Sequence, residues 1–453
     1  MDLNIFREYD IRGRVGPQLN EATVATISRA LGTFFAANGA KRIAVGYDAR
    51  ESSPIFAEIM HRELNASGCD VVSIGMVPTP VLYHTVYTAD VDGGVMITGS
   101  HNPADHNGFK ICLGKGTLFG EQIREIRDIA VAGEFAKGTG TVEQRNVLNA
   151  YCLDVVSNVK MGDRRLKVVV DAGNGMGGVT AVPVYQVLGV DLIELFTKPD
   201  STFPNHHPDP TVEENLEHLI QAVTEFEADL GIAFDGDGDR IGVVDEKGRI
   251  IWGDELMVLF ARAVLRERPG ATIIGEVKCS QRLYDDIEKH GGRKIMWKAG
   301  HSLIKAKMKE TEAALAGEMS GHIFFADRYF GFDDATYAGA RVLEILSKTS
   351  EPFSSLLADL PETHSTPELR VDCPDETKFK VVERVSDAFA RTHEVITIDG
   401  ARIVFEHGWG LVRASNTQPM LVLRFEADTA DHLDEIRDEV EAKVAALIAA
   451  TAA

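Results

Sequence analysis

The chain has 453 residues, which at about 150 residues per domain predicts three domains or four smaller ones. Its hydrophobic fraction of 44% and charged fraction of 26% exclude a largely disordered chain. The formal net charge of −22 argues against general nucleic-acid binding and against a protein on anionic membranes, although a small anionic substrate fits if basic residues gather in one cleft.

Helix and strand patterns alternate along the first third of the chain. The predicted elements are a helix at 21–38, a strand at 42–47, a helix at 54–67, a strand at 70–74, a short helix at 81–88 and a strand at 94–98. Because parallel strands are joined by crossover helices, this order predicts a largely parallel sheet with helices on both faces.

The alternation starts again twice, which predicts two further α/β units of similar size. In the second unit we predict a strand at 167–170, a helix at 176–188, a strand at 191–196, a helix at 213–227 and a strand at 230–234. In the third we predict a helix at 255–266, a strand at 271–277, a helix at 281–290, a strand at 294–297, a helix at 302–309 and a strand at 314–317.

The last stretch of the chain has a different pattern. Pro352, Pro361, Pro367 and Pro374 indicate a linker zone. After it we predict a helix at 376–390, strands near 395–398, 403–406, 411–413 and 420–426, and a helix from about 431. Consecutive strands between two helices favour a small α+β domain with an antiparallel sheet. The predicted domains are therefore 1–146, 147–250, 251–361 and 362–453.

Cysteine usage and the lack of apolar runs predict a cytoplasmic protein. The five cysteines are isolated and odd in number, which argues against a disulfide framework and a zinc ribbon. The first residues carry charges where a signal peptide needs an apolar core, and no run approaches the roughly 18 apolar residues of a membrane span.

Four polar loops follow predicted strands, where open parallel sheets bind their ligands. The first is Thr98-Gly-Ser-His-Asn-Pro103. An exposed Ser100 beside His101 is a candidate nucleophile, with an ordinary Gly/Ser/Asn/Pro turn as the alternative.

The second loop is Asp235-Gly-Asp-Gly-Asp-Arg240. Three carboxylates at alternate positions repel one another unless they share a hard cation such as Mg²⁺. The EF-hand pattern is excluded, because its sixth position is Arg240 instead of glycine and 241–244 reads as a strand. A solvated acidic turn is the alternative.

The third and fourth loops carry weaker signals. In Gly317-Glu-Met-Ser-Gly-His322, a carboxylate and a hydroxyl two residues apart suit the adjacent hydroxyls of a sugar. In Arg413-Ala-Ser-Asn-Thr-Gln-Pro419, several hydrogen-bond donors around a turn suit a phosphate group. A polar turn is the alternative in both cases.

A glycine pattern at Gly173-Asn-Gly-Met-Gly-Gly178 fits GxGxxG after a strand, which is typical of a dinucleotide site. Asp171 at the strand end is unfavourable beside a pyrophosphate, and Glu194 comes early for a ribose ligand. We therefore favour a structural loop over a nicotinamide site.

In order, the motifs FREYDIRG, TGSHNP with NGFK, DGDGDR, GEMSGH and RASNTQP extend over nearly the whole chain. In this order they resemble the α-D-phosphohexomutase family, and within it the bacterial phosphomannomutase/phosphoglucomutase branch. The phosphoglucosamine mutase branch usually has Gln where this chain has Met319. It also has a GTE-type phosphate loop instead of Ser415-Asn-Thr-Gln418.

The resemblance implies three α/β units with mixed, largely parallel sheets and a C-terminal α+β domain around a central active-site cleft. It also implies a role for each motif residue. Ser100 would carry a phosphoryl group, and one Mg²⁺ would be held by Asp235, Asp237, Asp239 and a phosphoserine oxygen. The transferring group would be flanked by Arg12 and Arg240, and catalysis would also use Lys110, His301 and His101. Substrate would be contacted by Tyr9, Lys278 and His322, its 3- and 4-hydroxyls would be bound by Glu318 and Ser320, and its non-reacting phosphate would be clamped by Arg413, Ser415, Asn416 and Thr417.

The implied reaction interconverts hexose 1-phosphate and hexose 6-phosphate, of mannose or glucose, with glucose 1,6-bisphosphate as primer. A monomer is favoured over a homodimer, without nucleic-acid or membrane partners. The alternatives are a phosphoglucosamine mutase, a phosphatase with the same serine and metal, a nicotinamide oxidoreductase and a metal-stabilised binding protein without turnover.

Overall fold

Four β-sheets follow one another along residues 1–415 and 419–452, the residues that the computed structural model describes. The first three are mixed sheets and the fourth is antiparallel, as the sequence predicts. Among the helices in these residues, none combines the length and apolar character needed to cross a membrane.

The first sheet has seven strands. Its elements are β1 (Ile11–Arg14), α1 (Glu21–Ala37), β2 (Arg42–Tyr47), α2 (Ser52–Ala66), β3 (Asp70–Met76), α3 (Thr79–Thr88), β4 (Gly93–Ile97), β5 (His106–Leu113), β6 (Gly116–Thr117), α4 (Glu121–Ala132) and β7 (Val142–Gln144). The order is β1-β5-β4-β2-β3-β7, with β6 beside β5. Strand β5 returns antiparallel to β4 and pairs Lys110 with Met96, which brings the NGFK motif back beside the Ser100 loop.

The second sheet has the order β12-β11-β10-β8-β9. Its elements are α5 (Leu148–Ser157), β8 (Lys167–Asp171), α6 (Gly177–Val187), β9 (Asp191–Leu195), α7 (Glu217–Glu225), β10 (Leu230–Phe234), β11 (Ile241–Asp245) and β12 (Ile250–Ile251). The helix predicted at 213–227 is a 3₁₀ turn at Glu213–Leu216 followed by α7. The acidic loop connects the antiparallel strands β10 and β11.

The third sheet has the order β14-β13-β15-β16. Its elements are α8 (Gly253–Glu267), β13 (Thr272–Glu276), α9 (Gln281–Lys289), β14 (Arg293–Trp297), α10 (His301–Thr311), β15 (Leu315–Gly317), β16 (Ile323–Phe325) and α11 (Ala335–Ser347). The sugar-type loop 318–322 connects β15 to the antiparallel β16. Like the acidic loop, it therefore joins two adjacent antiparallel strands.

The fourth sheet is wholly antiparallel, in the order β17-β22-β21-β20-β19 with β18 beside β22. Its elements are β17 (His364–Ser365), β18 (Leu369–Asp372), α12 (Lys378–Phe389), β19 (Glu394–Ile396), β20 (Ala401–Phe405), β21 (Gly408–Ala414), β22 (Met420–Ala427) and α13 (Ala430–Ala452). The phosphate-type loop connects β21 and β22.

The cores explain how the units are joined. One continuous apolar cluster includes Val81 from the first unit, Val170 from the second and Leu343 from the third. The fourth unit packs its own cluster around Leu423 and Val440. The first three units therefore share a core, whereas the fourth contacts the third through a small apolar cluster of Val277, Trp409 and Leu411 and through polar side chains that are described below.

Candidate active site

Ser100 lies in a tight turn directly after β4. Its backbone φ of 49° is in the left-handed region, which is uncommon for a residue other than glycine. Its Oγ donates to Oδ2 of Asp235 at 2.8 Å and lies 3.1 Å from Nδ1 of His101. The predicted exposure of this serine is wrong: Ser100 is 2% accessible, because the acidic loop of the second unit covers it. A Cβ on Gly236 would clash with the Ser100 carbonyl oxygen.

A buried arginine that the sequence prediction missed holds the Ser100 turn. The Arg50 guanidinium donates to the carbonyl oxygens of Ser100 at 2.7 Å and Asn102 at 2.6 Å, and also to those of Pro103 and His106. It pairs with Asp48, which also accepts from the backbone N–H of Gly99 and from Ser53 Oγ. The only sequence signal was that Asp48 and Arg50 follow an apolar strand.

The three aspartates of the acidic loop are fully buried. Each offers an oxygen, and these oxygens lie within 4.8 Å of one another. Oδ1 of Asp237 and Oδ1 of Asp239 have no hydrogen-bond partner among the described residues. Burial and the two neighbouring carboxylates raise the pKa of Asp235 well above its ordinary value. Converging carboxylate oxygens, together with two carboxylate oxygens that lack a hydrogen-bond partner among the described residues, fit a hard divalent cation such as Mg²⁺.

Lys110 reaches this loop from β5. Its ammonium donates to Oδ2 of Asp237 at 2.8 Å and to Asp239. Burial lowers the pKa of Lys110, but the two carboxylates outweigh burial and raise that pKa above its ordinary value. In this arrangement Lys110 is therefore a charged donor.

Two stacked imidazoles share a buried aspartate beside the acidic loop. The rings of His301 and His322 lie 5.6 Å apart between centroids. Oδ2 of Asp333 is 3.0 Å from Nδ1 of His322 and 3.8 Å from Nδ1 of His301. Arg240 Nε lies 2.9 Å from Nε2 of His322 and donates to it. The sequence prediction missed Asp333, because its role appears only when α10 and the loop after β16 come together.

Burial sets the protonation of two histidines at the site. It lowers the pKa of His101 well below the ordinary value, and Arg240 and Arg12 add to this effect. It also lowers the pKa of His301, where Lys305 adds to it and Asp333 opposes it. Both imidazoles are neutral near neutral pH and can accept a proton.

The sugar-type loop contacts the segment before α10, and that segment contacts the first unit. Glu318 Oε1 accepts from the Gly300 N–H at 2.5 Å, and its Oε2 accepts from Ser320 Oγ at 3.1 Å. The Tyr9 hydroxyl donates to the Ala299 carbonyl at 3.0 Å, so the first and third units meet here.

Two basic residues from the third and fourth units, Lys278 and Arg413, lie close enough to interact electrostatically. Arg413 pairs with Asp399 at 3.0 Å, and the Lys278 ammonium donates to Glu368 at 2.5 Å. Burial, with a smaller contribution from Glu318, raises the pKa of Glu276 to about 7, although Lys278 opposes it. A buried carboxyl of raised pKa next to two cations is typical of a functional site.

The remaining predicted residues are placed as follows. Arg12 donates to Asp10 at 2.7 Å near the Ser100 turn. The Ser415 carbonyl accepts from the Lys378 ammonium at 2.5 Å. Asn416 and Thr417 lie outside the described residues.

The GxGxxG loop is explained by packing. Side chains at Gly177 and Gly178 would clash with Phe234 and Thr197, and one at Gly175 would meet Gly236 of the acidic loop. These glycines allow close approach to β10 and the acidic loop, which supports the structural interpretation.

Comparison with known proteins shows which family this chain belongs to. Models for the domains of phosphoglucomutase/phosphomannomutase match in order: alpha/beta/alpha domain I at 3–137, domain II at 149–248, domain III at 252–364 and the C-terminal domain at 368–443. The chain is 50% identical to a phosphomannomutase/phosphoglucomutase from Pseudomonas putida, over 96% of this chain and 94% of that protein. It is 47% identical to a phosphoglucomutase from Neisseria gonorrhoeae, over 97% and 96%.

A solved structure agrees with these relatives. The crystal structure of a phosphoglucomutase/phosphomannomutase family protein from Burkholderia thailandensis is 43% identical, with a TM-score of 0.94 over 99% of this chain and 98% of that one. Four matching domain models in sequence order and relatives near half identity along the whole chain have one explanation: this chain belongs to the phosphoglucomutase/phosphomannomutase family and is an α-D-phosphohexomutase, an enzyme that moves a phosphoryl group within a hexose phosphate.

Proposed function

We propose that this enzyme interconverts the 1-phosphate and 6-phosphate of mannose and of glucose through phosphorylated Ser100 and a hexose 1,6-bisphosphate. The contact between Ser100 Oγ and Asp235 carries the proposal, because it joins a hydroxyl nucleophile to a buried three-carboxylate loop. A phosphoserine brings about two negative charges. A phosphoserine beside three carboxylates requires a cation to balance the negative charge. An ordinary polar turn would have no such requirement.

In the proposed first step, a free hydroxyl of the substrate attacks the phosphorus on Ser100, and the bond from phosphorus to Ser100 Oγ breaks. The bisphosphate then reorients, and its other phosphate returns to Ser100. Arg12 and Arg240 flank the transferring group and stabilise its charge. Bound at Asp235, Asp237 and Asp239 with a phosphoserine oxygen, one Mg²⁺ would withdraw charge from the phosphoryl oxygens.

Proton transfer is assigned to groups around the transferred phosphoryl. Lys110, His101 and His301 are the proposed catalytic donors and acceptors. The neutral state of both imidazoles supports this assignment, because a neutral ring can take the proton of the attacking hydroxyl. Asp333, between His301 and His322, is a positioning residue that orients both rings.

Substrate binding must accept two opposite orientations of one sugar. The 3- and 4-hydroxyls lie nearly symmetrically about that reversal, and Glu318 and Ser320 are proposed to bind them, with Tyr9 and His322 nearby. Neither contact involves the 2-hydroxyl, at which glucose and mannose differ. The non-reacting phosphate is assigned to Lys278 and the clamp loop; its residues are Arg413, Ser415, Asn416 and Thr417.

The chain is proposed to act as a cytoplasmic monomer, with glucose 1,6-bisphosphate as primer. We further propose domain boundaries at 1–146, 147–250, 251–361 and 362–453. The family-model matches support them, because each match lies within or nearly within one proposed domain.

The direct test is a ³¹P NMR time course with mannose 1-phosphate, Mg²⁺ and a trace of glucose 1,6-bisphosphate. We expect a growing sugar 6-phosphate signal without inorganic phosphate, abolished by excess EDTA, and the same result with glucose 1-phosphate. Inorganic phosphate as the sole product would identify a phosphatase instead. Turnover of glucosamine 1-phosphate alone would identify a phosphoglucosamine mutase.

Replacing Arg413 with Ala is expected to raise KM by roughly 10- to 100-fold, the equivalent of ~1.5–3 kcal/mol for a hydrogen bond to a charged group, and to lower kcat much less. The reason is that the clamp holds a phosphate that does not react, so its contacts are similar in ground and transition states. Steady-state kinetics with glucose 1-phosphate measure both constants. Arg391→Ala, an exposed arginine of the same domain, is the control; an unchanged KM for Arg413→Ala would contradict the clamp.

A further inference from the structure

A second group of metal-ligating side chains lies on the surface of the fourth domain. It consists of His407 in the turn between β20 and β21, Asp428 directly after β22, and His432 in the first turns of α13. Each offers one ligand atom, and these atoms lie within 4.8 Å of one another. None of the three belongs to a motif that the proposed reaction uses.

In this His–Asp–His cluster, both imidazoles contact the same carboxylate and stack on each other. Nδ1 of His407 is 3.0 Å from one oxygen of Asp428, and Nδ1 of His432 is 2.6 Å from the other. The two rings stack with centroids 4.0 Å apart and planes within 10° of parallel. Both histidines therefore present the same ring nitrogen to one carboxylate.

The backbone holds the three residues in place. The Asp428 N–H donates to the His407 carbonyl at 3.0 Å, which ties the β20–β21 turn to the end of β22. The His432 N–H donates to Thr429 Oγ1 at 3.2 Å, which fixes the first turn of α13. The cluster is thus assembled by the fold before any ligand binds, which lowers the cost of ordering a site.

We propose that His407, Asp428 and His432 form a surface site for a transition-metal ion, with Zn²⁺ as the best fit. Two imidazoles and a carboxylate are a donor set that zinc accepts, with water in the fourth position. Ligands around a tetrahedral zinc at 2.0–2.2 Å lie about 3.3 Å apart. The three donor atoms lie within 4.8 Å of one another, so each of their separations is within about 1.5 Å of that spacing.

The donor chemistry separates this site from the acidic loop. Mg²⁺ takes oxygen ligands almost exclusively, whereas imidazole suits zinc, copper and nickel. The side chains of His407 and His432 are 46% and 32% exposed, so ion and water have access. Asp431 and Glu435 add negative charge around His432, which favours a cation. A bound ion would join the β20–β21 turn to the start of α13.

The test is isothermal titration of ZnCl₂ into the full-length protein saturated with Mg²⁺. We expect the wild type to bind one more Zn²⁺ than His407→Ala/His432→Ala, and each single variant to lose at least about 100-fold in affinity at that site. Zinc at the acidic loop would appear equally in all variants, so the difference in stoichiometry isolates the new site. Asp431→Asn, which removes charge but no ligand, should keep the extra ion.

Two further measurements decide the interpretation. X-ray absorption of the wild type with one extra equivalent should show nitrogen and oxygen neighbours with the outer-shell scattering of imidazole. Zinc should raise the Tm of the wild type more than that of the double variant. Equal stoichiometry and equal Tm shifts in the wild type and the double variant would overturn the proposal and leave the cluster as a hydrogen-bonded surface triad.

Discussion

Ser100→Ala is expected to lower kcat by about four orders of magnitude or more while hexose phosphate binding is retained. The side-chain oxygen is the proposed nucleophile and phosphoryl carrier, and the change removes that atom. Substrate affinity should persist, because Glu318, Lys278 and Arg413 belong to other units. Steady-state kinetics with Mg²⁺ and glucose 1,6-bisphosphate, and calorimetric titration with glucose 1-phosphate, measure the two effects.

Intact mass spectrometry makes this test specific to the nucleophile. After incubation with glucose 1,6-bisphosphate, the wild type should gain the mass of one phosphoryl group and Ser100→Ala should gain none. Ser355→Ala, which changes an exposed serine, is the matched control for the same substitution. Turnover at the wild-type rate in Ser100→Ala would exclude this residue as the carrier.

The strands that the sequence predicts best are those buried on both faces. The predicted bounds of β2 and β10 coincide with the observed ones, because a strand inside a parallel sheet is a continuous apolar run bounded by polar residues. The polar loops after such strands were predicted for the same reason, because each apolar run ends directly before the polar residues of the loop. The acidic loop and the Ser100 turn therefore follow from local pattern alone.

Elements that depend on partners distant in the chain were not predicted. Strand β5 begins with polar residues and takes its register from β4 and β1, so the sequence reads as a loop until those partners are known. Helix α11 is buried almost throughout, so it lacks the polar face that makes a helix recognisable. Asp333, two residues before α11, was missed because its partners His301 and His322 come from other elements.

The exposure of Ser100 shows the limit of reasoning from one loop. A serine after a parallel strand is expected at an open edge of its sheet. Here the second unit supplies the cover, and the contact joins residues 135 positions apart in sequence. No local pattern predicts that the second unit packs over Ser100. The glycine at 236 permits this packing, because a Cβ added there would clash with the Ser100 carbonyl oxygen.

Arg50→Lys is expected to lower kcat by roughly 100-fold or more and to reduce Tm by several degrees. Arg50 is 2% accessible and donates to four backbone carbonyls of the Ser100 turn. A lysine ammonium keeps the charge but has three donors at one point, so it cannot span these acceptors. Burial lowers the pKa of Arg50 and Asp48 opposes this, so a lysine here would also be easier to neutralise.

Arg50 is a positioning residue, and the rate of Ser100 phosphorylation separates that role from a merely structural one. With excess glucose 1,6-bisphosphate, phosphorylation followed by intact mass should slow in parallel with kcat, while KM for glucose 1-phosphate stays within about threefold of wild type. Arg42→Lys, which changes a partly exposed arginine on β2 with surface ion pairs, should alter neither rate. A variant with lowered Tm but wild-type phosphorylation kinetics would show that Arg50 stabilises the fold without orienting Ser100.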